Sequence, residues 1–313
     1  MKLRVGTRRS ALAQAQTHYI IGLIHEKFPS LEFDIKFITT VADKDRKSEF
    51  HQFGMTGVFS VEHEECLVRN EVDFVVHSLK DLPTTLMDGL VLAAVPDRED
   101  PRDAICGSTL AALPRGARIG TGSLRRRAQI LAFRNDIEVI PIRGNVQPRL
   151  NKTKGQDGLD AVILAAAGLS RLGLSDEISE TLDPAAFPYA VGQGALGVEA
   201  RGEDRELLAI LKRIEAPRVR AEVDAERAMM HMLGAGCSLP VGVLSLWRGD
   251  RLCLQAQVTS LDGSERIIAT EEDIAENAEA LGIATGQILR DNGAVKLLED
   301  TYKDLCPHFK LIH

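Results

Sequence analysis

Two side chains suited to acid–base chemistry, Lys80 and Asp81, follow an apolar run at residues 74–76 after three intervening residues. A short apolar run bounded by polar and turn-forming residues predicts a buried strand. Ligand sites in open α/β sheets lie beyond strand ends, so Asp81 is a candidate half-buried acid with Lys80 as its neighbouring cation. A surface turn with a solvated Lys–Asp pair is an equally good interpretation of this motif alone.

Arginines are concentrated in one part of the chain. Residues 101–149 hold nine arginines, no lysine and three acids, a net charge of +6 in a protein of net charge −7. The planar guanidinium group binds carboxylate or phosphate through two parallel hydrogen bonds, which lysine cannot do. This window therefore predicts a site for an anion with several such groups. The nine are Arg102, Arg115, Arg118, Arg125, Arg126, Arg127, Arg134, Arg143 and Arg149.

Two predicted strand-to-helix turns within this window place anion-binding groups together. Ser123, Arg125 and Arg126 lie at the first turn, and Arg143 lies at the next one along the chain. Backbone N–H groups and the helix dipole favour an anion at such turns. Because neighbouring strands end at the same edge of a sheet, we expect both turns to face one ligand.

A turn of the same kind is predicted near the start of the chain, at residues 7–10. One of its two arginines, Arg8 or Arg9, is expected to face the anion, and the sequence does not decide which. The alternative for every arginine is a position on a solvated helix face. We expect that alternative for Arg115, Arg118, Arg127 and Arg134.

One cysteine, Cys237, follows two glycines in a predicted loop that ends at Pro240. A cysteine among such small residues is open to a ligand, although a structural role is an equal alternative. The other four cysteines are widely spaced and form no CxxC pair, so neither a disulfide framework nor a metal site is predicted. Three of them, Cys66, Cys106 and Cys253, lie in predicted helices or strands and are expected to pack in the interior.

Alternating strands and helices must position these residues. Repeated strand–helix units predict a mainly parallel sheet covered on both faces. Ser10 is a predicted N-cap for the first helix. The predicted strands are 3–6, 32–39, 73–77, 90–95, 104–106, 117–120, 137–142 and 159–164, and the helices are 11–27, 59–70, 124–133, 146–152, 165–172 and 204–214.

Two segments are candidate crossings between lobes. Residues 96–103 are charged and bracketed by prolines, and residues 190–198 carry three glycines. Two crossings predict two similar α/β lobes around a cleft, the first being discontinuous. The predicted domains are residues 1–97 with 195–216, residues 101–191, and residues 219–313; in the last, a helix, strands at 242–247, 252–259 and 266–270, and C-terminal helices predict an α+β domain.

Composition limits the class of protein. Hydrophobic content of 44% and charged content of 27% are those of a globular protein. The net charge of −7 argues against a general nucleic-acid binder. No apolar run approaches the length of a membrane span, and the first residues lead into a strand pattern rather than a signal peptide. We therefore expect a cytoplasmic protein with no membrane or nucleic-acid partner.

Seven motifs follow one another through nearly the whole chain. They are GTRRSALA (6–13), HSLKDLP (77–83), TGSLRR (121–126), RGNV (143–146), AAGL (166–169) with RLG (171–173), AVGQGA (190–195), and GC (236–237) with Pro240. In this order they resemble the porphobilinogen deaminase family, also called hydroxymethylbilane synthases. The ordered set is far more specific than any one motif.

The resemblance implies a fold, a reaction and a cofactor. The fold is two periplasmic-binding-protein-like α/β lobes around a cleft plus a smaller α+β C-terminal domain. The reaction joins four porphobilinogen molecules head to tail with loss of ammonia, on a dipyrromethane primer, and then releases the linear tetrapyrrole by hydrolysis. Cys237 matches the cysteine that holds the dipyrromethane through a thioether. The resemblance also suggests a monomer.

The resemblance assigns the remaining site residues. Asp81 matches the catalytic carboxylate that stabilises the cationic azafulvene left when ammonia departs, with Lys80 beside it. Cofactor-binding matches are Lys80, Asp81, Ser123, Arg125, Arg126 and Gly168. Substrate-binding matches are Arg8, Ser10, Arg143, Arg149 and Arg171.

One segment departs from the family, and one alternative function stays open on the residues alone. At residues 53–59 the family commonly has a lysine where this chain has Thr56; Lys44 or Lys47 are candidate substitutes. A two-lobed non-catalytic binding protein for a small polycarboxylate would show the same lobes and the same arginines. An effector-binding domain of a transcription factor is a weaker option. Intact mass separates them, because only the enzyme carries a covalent dipyrrole.

Overall fold

The computed structural model describes residues 1–40, 60–153, 158–234 and 239–305. Its strands are β1 (Lys2–Thr7), β2 (Glu32–Phe37), β3 (Phe74–Ser78), β4 (Leu90–Ala94), β5 (Asp103–Cys106), β6 (Arg118–Gly120), β7 (Glu138–Ile140), β8 (Ala161–Ala165), β9 (Glu180–Thr181), β10 (Leu196–Arg201), β11 (Val241–Arg248), β12 (Arg251–Thr259) and β13 (Arg266–Ile274). Its α-helices are α1 (Ala11–Lys27), α2 (Val61–Val68), α3 (Leu124–Phe133), α4 (Val146–Leu150), α5 (Ala166–Ser170), α6 (Arg205–Leu211), α7 (Pro217–Met232), α8 (Ala278–Asp291) and α9 (Ala294–Leu305).

The first lobe is built on a sheet of strand order β2-β1-β3-β10-β4. Strand β10 is antiparallel to both of its neighbours, so the other four strands run in one direction. Alternate residues of β3 face opposite sides. Phe74 packs with α1 and α6, whereas Val75 packs with Leu67 of α2. Burial on both faces explains why the sequence of β3 begins with a continuous apolar run.

The second lobe repeats this arrangement. Its sheet has the order β7-β6-β8-β5-β9, and β5 is antiparallel to both neighbours. In each lobe the one reversed strand is the strand that enters from the other lobe. Helix α3 covers one face through Ile130, and helices α4 and α5 cover the other through Leu150 and Leu169. The predicted fold of two mainly parallel α/β lobes is therefore confirmed.

Two strands of these sheets were missed in the sequence. Strand β10 contains a glycine and Glu199 instead of an apolar run, and β9 is only two residues long. Neither has a strong local pattern. Both strands form by pairing with partners that lie far away along the chain. Helices α1 and α3 have the predicted bounds, whereas the other helices of the lobes are shorter than predicted and the strands differ at their ends.

The two crossings between the lobes lie against each other. Gly192 and Gly194 both have positive φ, 70° and 85°. A side chain at Gly192 would lie 3.0 Å from the backbone of Leu79, and one at Gly194 would meet the carbonyl oxygen of Glu99. The glycines therefore let the returning crossing pack against the outgoing one and against the end of β3.

The C-terminal unit, residues 217–305, is a three-stranded antiparallel sheet, β11-β12-β13, packed with helices. Met229 of α7 and Leu289 of α8 belong to its core. The unit docks on the second lobe, where a side chain at Gly263 would collide with the backbone of Ala132 in α3. The predicted α+β character is confirmed, whereas the three domain boundaries stay predictions. In the part of the chain described, no helix combines the length and apolarity needed to cross a membrane.

Candidate active site

The turn that carries Lys80 and Asp81 follows β3 as predicted. Residues Leu79–Asp81 form one 3₁₀ turn. Leu79 is buried, and its N–H donates to the carbonyl oxygen of Ala195 at 3.0 Å, which ties the turn to the returning crossing. Lys80 and Asp81 are half-buried. The alternative of a solvated surface pair is therefore wrong.

Cations from both lobes act on Asp81. Burial lowers the pKa of Lys80 to about 8, and the charge of Asp81 opposes that shift. Burial also lowers the pKa of Arg149 to about 10; Arg126 and Arg143 lower it further, whereas Asp81 raises it. Asp81 thus lies within electrostatic reach of Lys80 in its own turn and of Arg149 on α4 of the second lobe.

Arg149 has a donor that lacks a partner. Its Nε is buried and forms no hydrogen bond among the described residues. A buried unsatisfied donor costs about 1–3 kcal/mol, so such a group in a native protein points to a ligand or another acceptor. Arg143 is half-buried nearby. The pair supports the predicted anion-binding role of the second lobe.

Arg125 and Arg126 lie in the protein interior, whereas the turn motif predicts that they face a ligand. Both are buried, and both pair with the buried carboxylate of Asp103, Arg125 at 2.7 Å and Arg126 at 2.8 Å. Arg125 also donates to Gln129 and to the carbonyl oxygen of Pro188. The two cations lower the pKa of Asp103 far below its usual value, although burial opposes this.

Asp103 was not predicted as their partner, because it precedes α3 by about two dozen positions and no local pattern joins the two. Only the Nε of Arg125 remains buried without a hydrogen bond among the described residues of this cluster. The expected role of Arg125 and Arg126 in holding a cofactor stays a prediction. Most of their N–H groups already have internal acceptors.

The two predicted serines act as helix N-caps. The Ser10 hydroxyl accepts from Ala13 N–H at 3.2 Å, and the Ser123 hydroxyl accepts from Arg126 N–H at 3.4 Å. The N-termini of α1 and α3 are therefore defined by these serines. Each hydroxyl also retains a proton to donate to an anion.

The structure separates the two arginines of the first turn. Arg9 is exposed, and its guanidinium carbon lies 4.9 Å from the ring centroid of Phe37. Arg8 is half-buried. Arg8 is thus the better candidate for the ligand, as the family resemblance implies; the turn pattern alone left this choice open.

Gly168 and Arg171 lie where the lobes approach each other. A side chain at Gly168 would lie 3.8 Å from Leu12 of α1 and 3.9 Å from Val146 of α4. Arg171 donates to the carbonyl oxygen of Gly194 at 2.7 Å. Burial lowers the pKa of Arg171, and Glu99 opposes the shift. These residues line the junction of the lobes and crossings.

Several predicted residues lie outside the described part of the chain. They are Cys237, the segment 53–59 with Thr56, and Lys44 and Lys47. Of the arginines expected on solvated surfaces, Arg115 and Arg127 are exposed, and Arg134 pairs with Asp136 at 2.7 Å. Cys106 and Cys253 are buried, as expected.

Comparison with known families assigns the chain. Residues 3–209 match the family model described as porphobilinogen deaminase, dipyromethane cofactor binding domain, and residues 220–291 match the porphobilinogen deaminase C-terminal domain. The chain belongs to the porphobilinogen deaminase family. It is thus an enzyme of the transferase class with the family's dipyrromethane cofactor. The alternative of a non-catalytic binding protein is not favoured.

Individual relatives of the porphobilinogen deaminase family agree over nearly full length. The chain is 45% identical to the porphobilinogen deaminase of Desulforudis audaxviator, covering 94% of this chain and 96% of that one. It is 44% identical to that of Roseiflexus castenholzii, covering 95% and 98%. A solved nutrient binding protein from Burkholderia cenocepacia bound to methionine is 11% identical, with a TM-score of 0.41 over 71% of this chain and 93% of that one.

The residues present fit the porphobilinogen deaminase cofactor. A dipyrromethane bears acetate and propionate groups, and the described residues offer Lys80, Arg143 and Arg149 near Asp81, with the Nε of Arg149 unpartnered. Guanidinium and ammonium groups are the donors that carboxylates require.

A further residue of this region went unrecognised in the sequence. Gln193, between two glycines of the returning crossing, donates to Asp103 at 2.8 Å and to the carbonyl oxygen of Pro101 at 2.7 Å. It also accepts from Arg126. Gln193 thereby connects the crossings to the arginines of the second lobe. Its only sequence signal is its place between two glycines in the AVGQGA motif at residues 190–195.

Proposed function

We propose that the protein is a hydroxymethylbilane synthase. It condenses four porphobilinogen molecules head to tail, with loss of ammonia at each step, onto a dipyrromethane attached to Cys237. It then releases the linear tetrapyrrole by hydrolysis. The observation that supports this most directly is the half-buried Asp81, which interacts electrostatically with Lys80 of its own turn and with Arg149 of the opposite lobe.

The cations of the cleft bind the carboxylates. Arg8, Ser10, Arg143, Arg149 and Arg171 hold the acetate and propionate groups of the substrate. Lys80, Ser123, Arg125, Arg126 and Gly168 hold those of the cofactor. Each charge-assisted hydrogen bond contributes about 1.5–3 kcal/mol, so several together hold a polyacid in one orientation. The dipyrromethane supplies the pyrrole carbon at which the product is extended.

Asp81 acts where positive charge develops. The carbon–nitrogen bond of porphobilinogen breaks, ammonia leaves with the bonding electrons, and the remaining methylene carbon becomes cationic. The Asp81 carboxylate stabilises that charge from a fixed position in a partly water-excluded site. When the new carbon–carbon bond forms, a proton is lost from the attacked pyrrole carbon, and Asp81 accepts it.

Substitution of Asp81 tests this role. We expect Asp81→Asn to lower tetrapyrrole formation at least about 100-fold, because the amide neither neutralises the cation nor accepts the proton. The matched control is Asp88→Asn, an exposed acid in the same segment. Product formation is followed by absorbance and the cofactor by intact mass. Near-normal turnover of Asp81→Asn would remove Asp81 from the mechanism.

Intact mass tests the anchor. We expect purified protein to exceed its sequence mass of 34.2 kDa by one dipyrromethane unit. Cys237→Ser should show the sequence mass and no turnover, and Cys253→Ser, which alters a buried cysteine, should keep the added mass. A wild-type protein of bare sequence mass that neither acquires a dipyrrole from porphobilinogen nor turns it over would contradict the proposal.

The proposal includes a monomeric enzyme in the cytoplasm with no nucleic-acid or membrane partner. A mass near 34.2 kDa by light scattering is the expected result for the monomer. A stable dimer at micromolar concentration would correct it.

A further inference from the structure

Arg227 reaches from the C-terminal unit to the segment that follows Asp81. It lies on α7, and its guanidinium group donates to the carbonyl oxygens of Leu82 at 3.1 Å, Pro83 at 2.6 Å and Thr84 at 3.2 Å. Three consecutive carbonyls thus converge on one planar group. The first of them belongs to the residue directly after Asp81.

At residues 82–84 the side chain of Leu82 is buried beside Val223 of α7 and its N–H donates to the Leu79 carbonyl oxygen at 3.2 Å, but the three carbonyls depend on Arg227. It lies between the Leu79–Asp81 turn and β4 and belongs to no strand or helix. Among the described residues, no other hydrogen bond to these three carbonyls is found. Pro83 has no N–H to donate. Among the described residues, Arg227 is therefore the group that fixes the direction of these three carbonyls, directly after Asp81.

The surroundings of Arg227 are half-buried and charged. Burial lowers its pKa to about 10, and Asp224 and Glu199 oppose that shift. Glu199 is buried on β10 and contacts His77 Nε2 of β3 at 2.8 Å. Arg227 thus acts on the chain beyond β3 through its hydrogen bonds to the segment after Asp81.

Helix α7 also leads to the cofactor anchor. It ends at Met232, five positions before Cys237 along the chain. One helix therefore carries the restraint on the segment after Asp81 and ends five positions before the proposed anchoring cysteine along the chain.

We propose that Arg227 is a positioning residue for Asp81. Its guanidinium group holds residues 82–84 and so sets the Asp81 carboxylate relative to a cofactor anchored on the same unit. This inference rests on the proposed function. A lysine at this position supplies a point charge without the planar array of donors, so it satisfies fewer of the three carbonyls.

Arg220 is the matched control. It lies on the same helix and donates across to the first lobe, but to the Leu92 carbonyl oxygen of β4 at 2.9 Å. It also pairs with Asp224 at 3.0 Å. Its removal costs a comparable contact between the C-terminal unit and the first lobe without touching the segment after Asp81.

The experiment uses full-length holoenzyme. Wild type must first turn over porphobilinogen; if it does not, the proposed function fails and the inference about Arg227 fails with it. The variants Arg227→Met, Arg227→Lys and Arg220→Met are then compared for kcat, KM, cofactor occupancy by intact mass, and Tm. All rates are measured well below the lowest Tm.

A positioning role predicts a split between kcat and KM. Arg227→Met should lower kcat by about 10- to 100-fold, since misplacement of a reacting group by about 1 Å costs that much. Its KM should change less than about twofold with full cofactor occupancy, and Arg227→Lys should lie between it and wild type. Arg220→Met should lower Tm and keep kcat within about twofold.

Equal kcat for folded Arg227→Met and Arg220→Met would overturn the proposal, because both remove a contact between the units. If Arg227→Met does not fold, Arg227→Lys decides. A wild-type kcat in that variant would show that the segment after Asp81 does not need the guanidinium group.

Discussion

At Lys80, burial and the charge of Asp81 act in opposite directions on one ammonium group. Burial prevails and lowers the pKa of Lys80 to about 8. The side chain is therefore protonated at neutral pH, yet it loses its charge within the range in which the enzyme can be assayed. Arg149 stays charged there, because burial lowers its pKa only to about 10. Of these two cations, Lys80 is thus the one that responds to mild alkali.

We expect kcat/KM for porphobilinogen to fall above about pH 8 by about tenfold per pH unit, because neutral Lys80 no longer binds a carboxylate. Lys80→Arg keeps its charge and should move this alkaline limb to higher pH. Lys36→Arg, an exposed lysine paired with Asp34, is the control. The measurement is the pH profile of kcat/KM. If the alkaline fall in kcat/KM is unchanged in Lys80→Arg, it arises from the titration of another group.

At the scale of elements, the site depends on how the returning crossing meets the end of β3. Gly192 donates its N–H to Glu226 at 2.7 Å and lies against the backbone of Leu79 and Lys80. Glu226 in turn pairs with Arg98 of the outgoing crossing at 2.7 Å. Glu226 thus connects the two crossings, and the Leu79–Asp81 turn lies so close to the returning crossing that no space is left for a side chain at Gly192.

Gly192→Ala should therefore be costly in two ways. Its φ of 70° is unfavourable for alanine, and the new methyl group would lie 3.1 Å from the backbone nitrogen of Lys80. Gly173→Ala is the control, since its φ is 66° and nothing lies within 4 Å. We expect Gly192→Ala to be less stable than this control by about 1–3 kcal/mol in urea unfolding, with a lower kcat. Equal stability of the two variants would show that the crossing can shift.

At the scale of the whole molecule, the first lobe is closed by a strand that returns after the second lobe. A buried pair, His77 Nε2 and Glu199 Oε2 at 2.8 Å, joins that strand to β3 across 122 positions of the chain. Burial lowers the pKa of His77 to about 4 and raises the pKa of Glu199 to about 8. At neutral pH both are uncharged, and protonated Glu199 donates to His77.

This pair predicts how stability depends on pH. Unfolded Glu199 titrates near 4.5, so its contribution is complete below that pH and is lost as pH rises through its folded pKa of about 8. The opposing contribution of His77 is already complete above pH 6.5, the ordinary pKa of histidine. Between pH 6.5 and 8.5, the free energy of unfolding of wild type should therefore fall by up to about 2 kcal/mol. Glu199→Gln still donates to His77 and should keep this stability.

The measurement is Tm at both pH values, with Glu265→Gln, an exposed acid, as the control. The Tm of the control should fall as much as that of wild type. An equal loss in Glu199→Gln would mean that Glu199 is ionised in the folded protein.

Local patterns in the sequence determined much of the architecture. Helices α1 and α3 have the predicted bounds, because a serine cap and apolar periodicity are encoded within each segment. The strand before Asp81 and the two-lobed arrangement were likewise predicted, as was the family, from ordered motifs. The excess of arginine in residues 101–149 indicated an anion site before any partner was known.

Only the tertiary structure decided which partners those arginines have within the protein. Asp103 takes Arg125 and Arg126 into a buried cluster, whereas Arg149 keeps a buried Nε without a partner among the described residues. The tertiary structure also revealed β10 and the contact of Arg227 with residues 82–84. The physical reason is that pairing of charges and strands depends on groups brought together from distant parts of the chain, whereas helix caps and apolar periodicity depend on near neighbours.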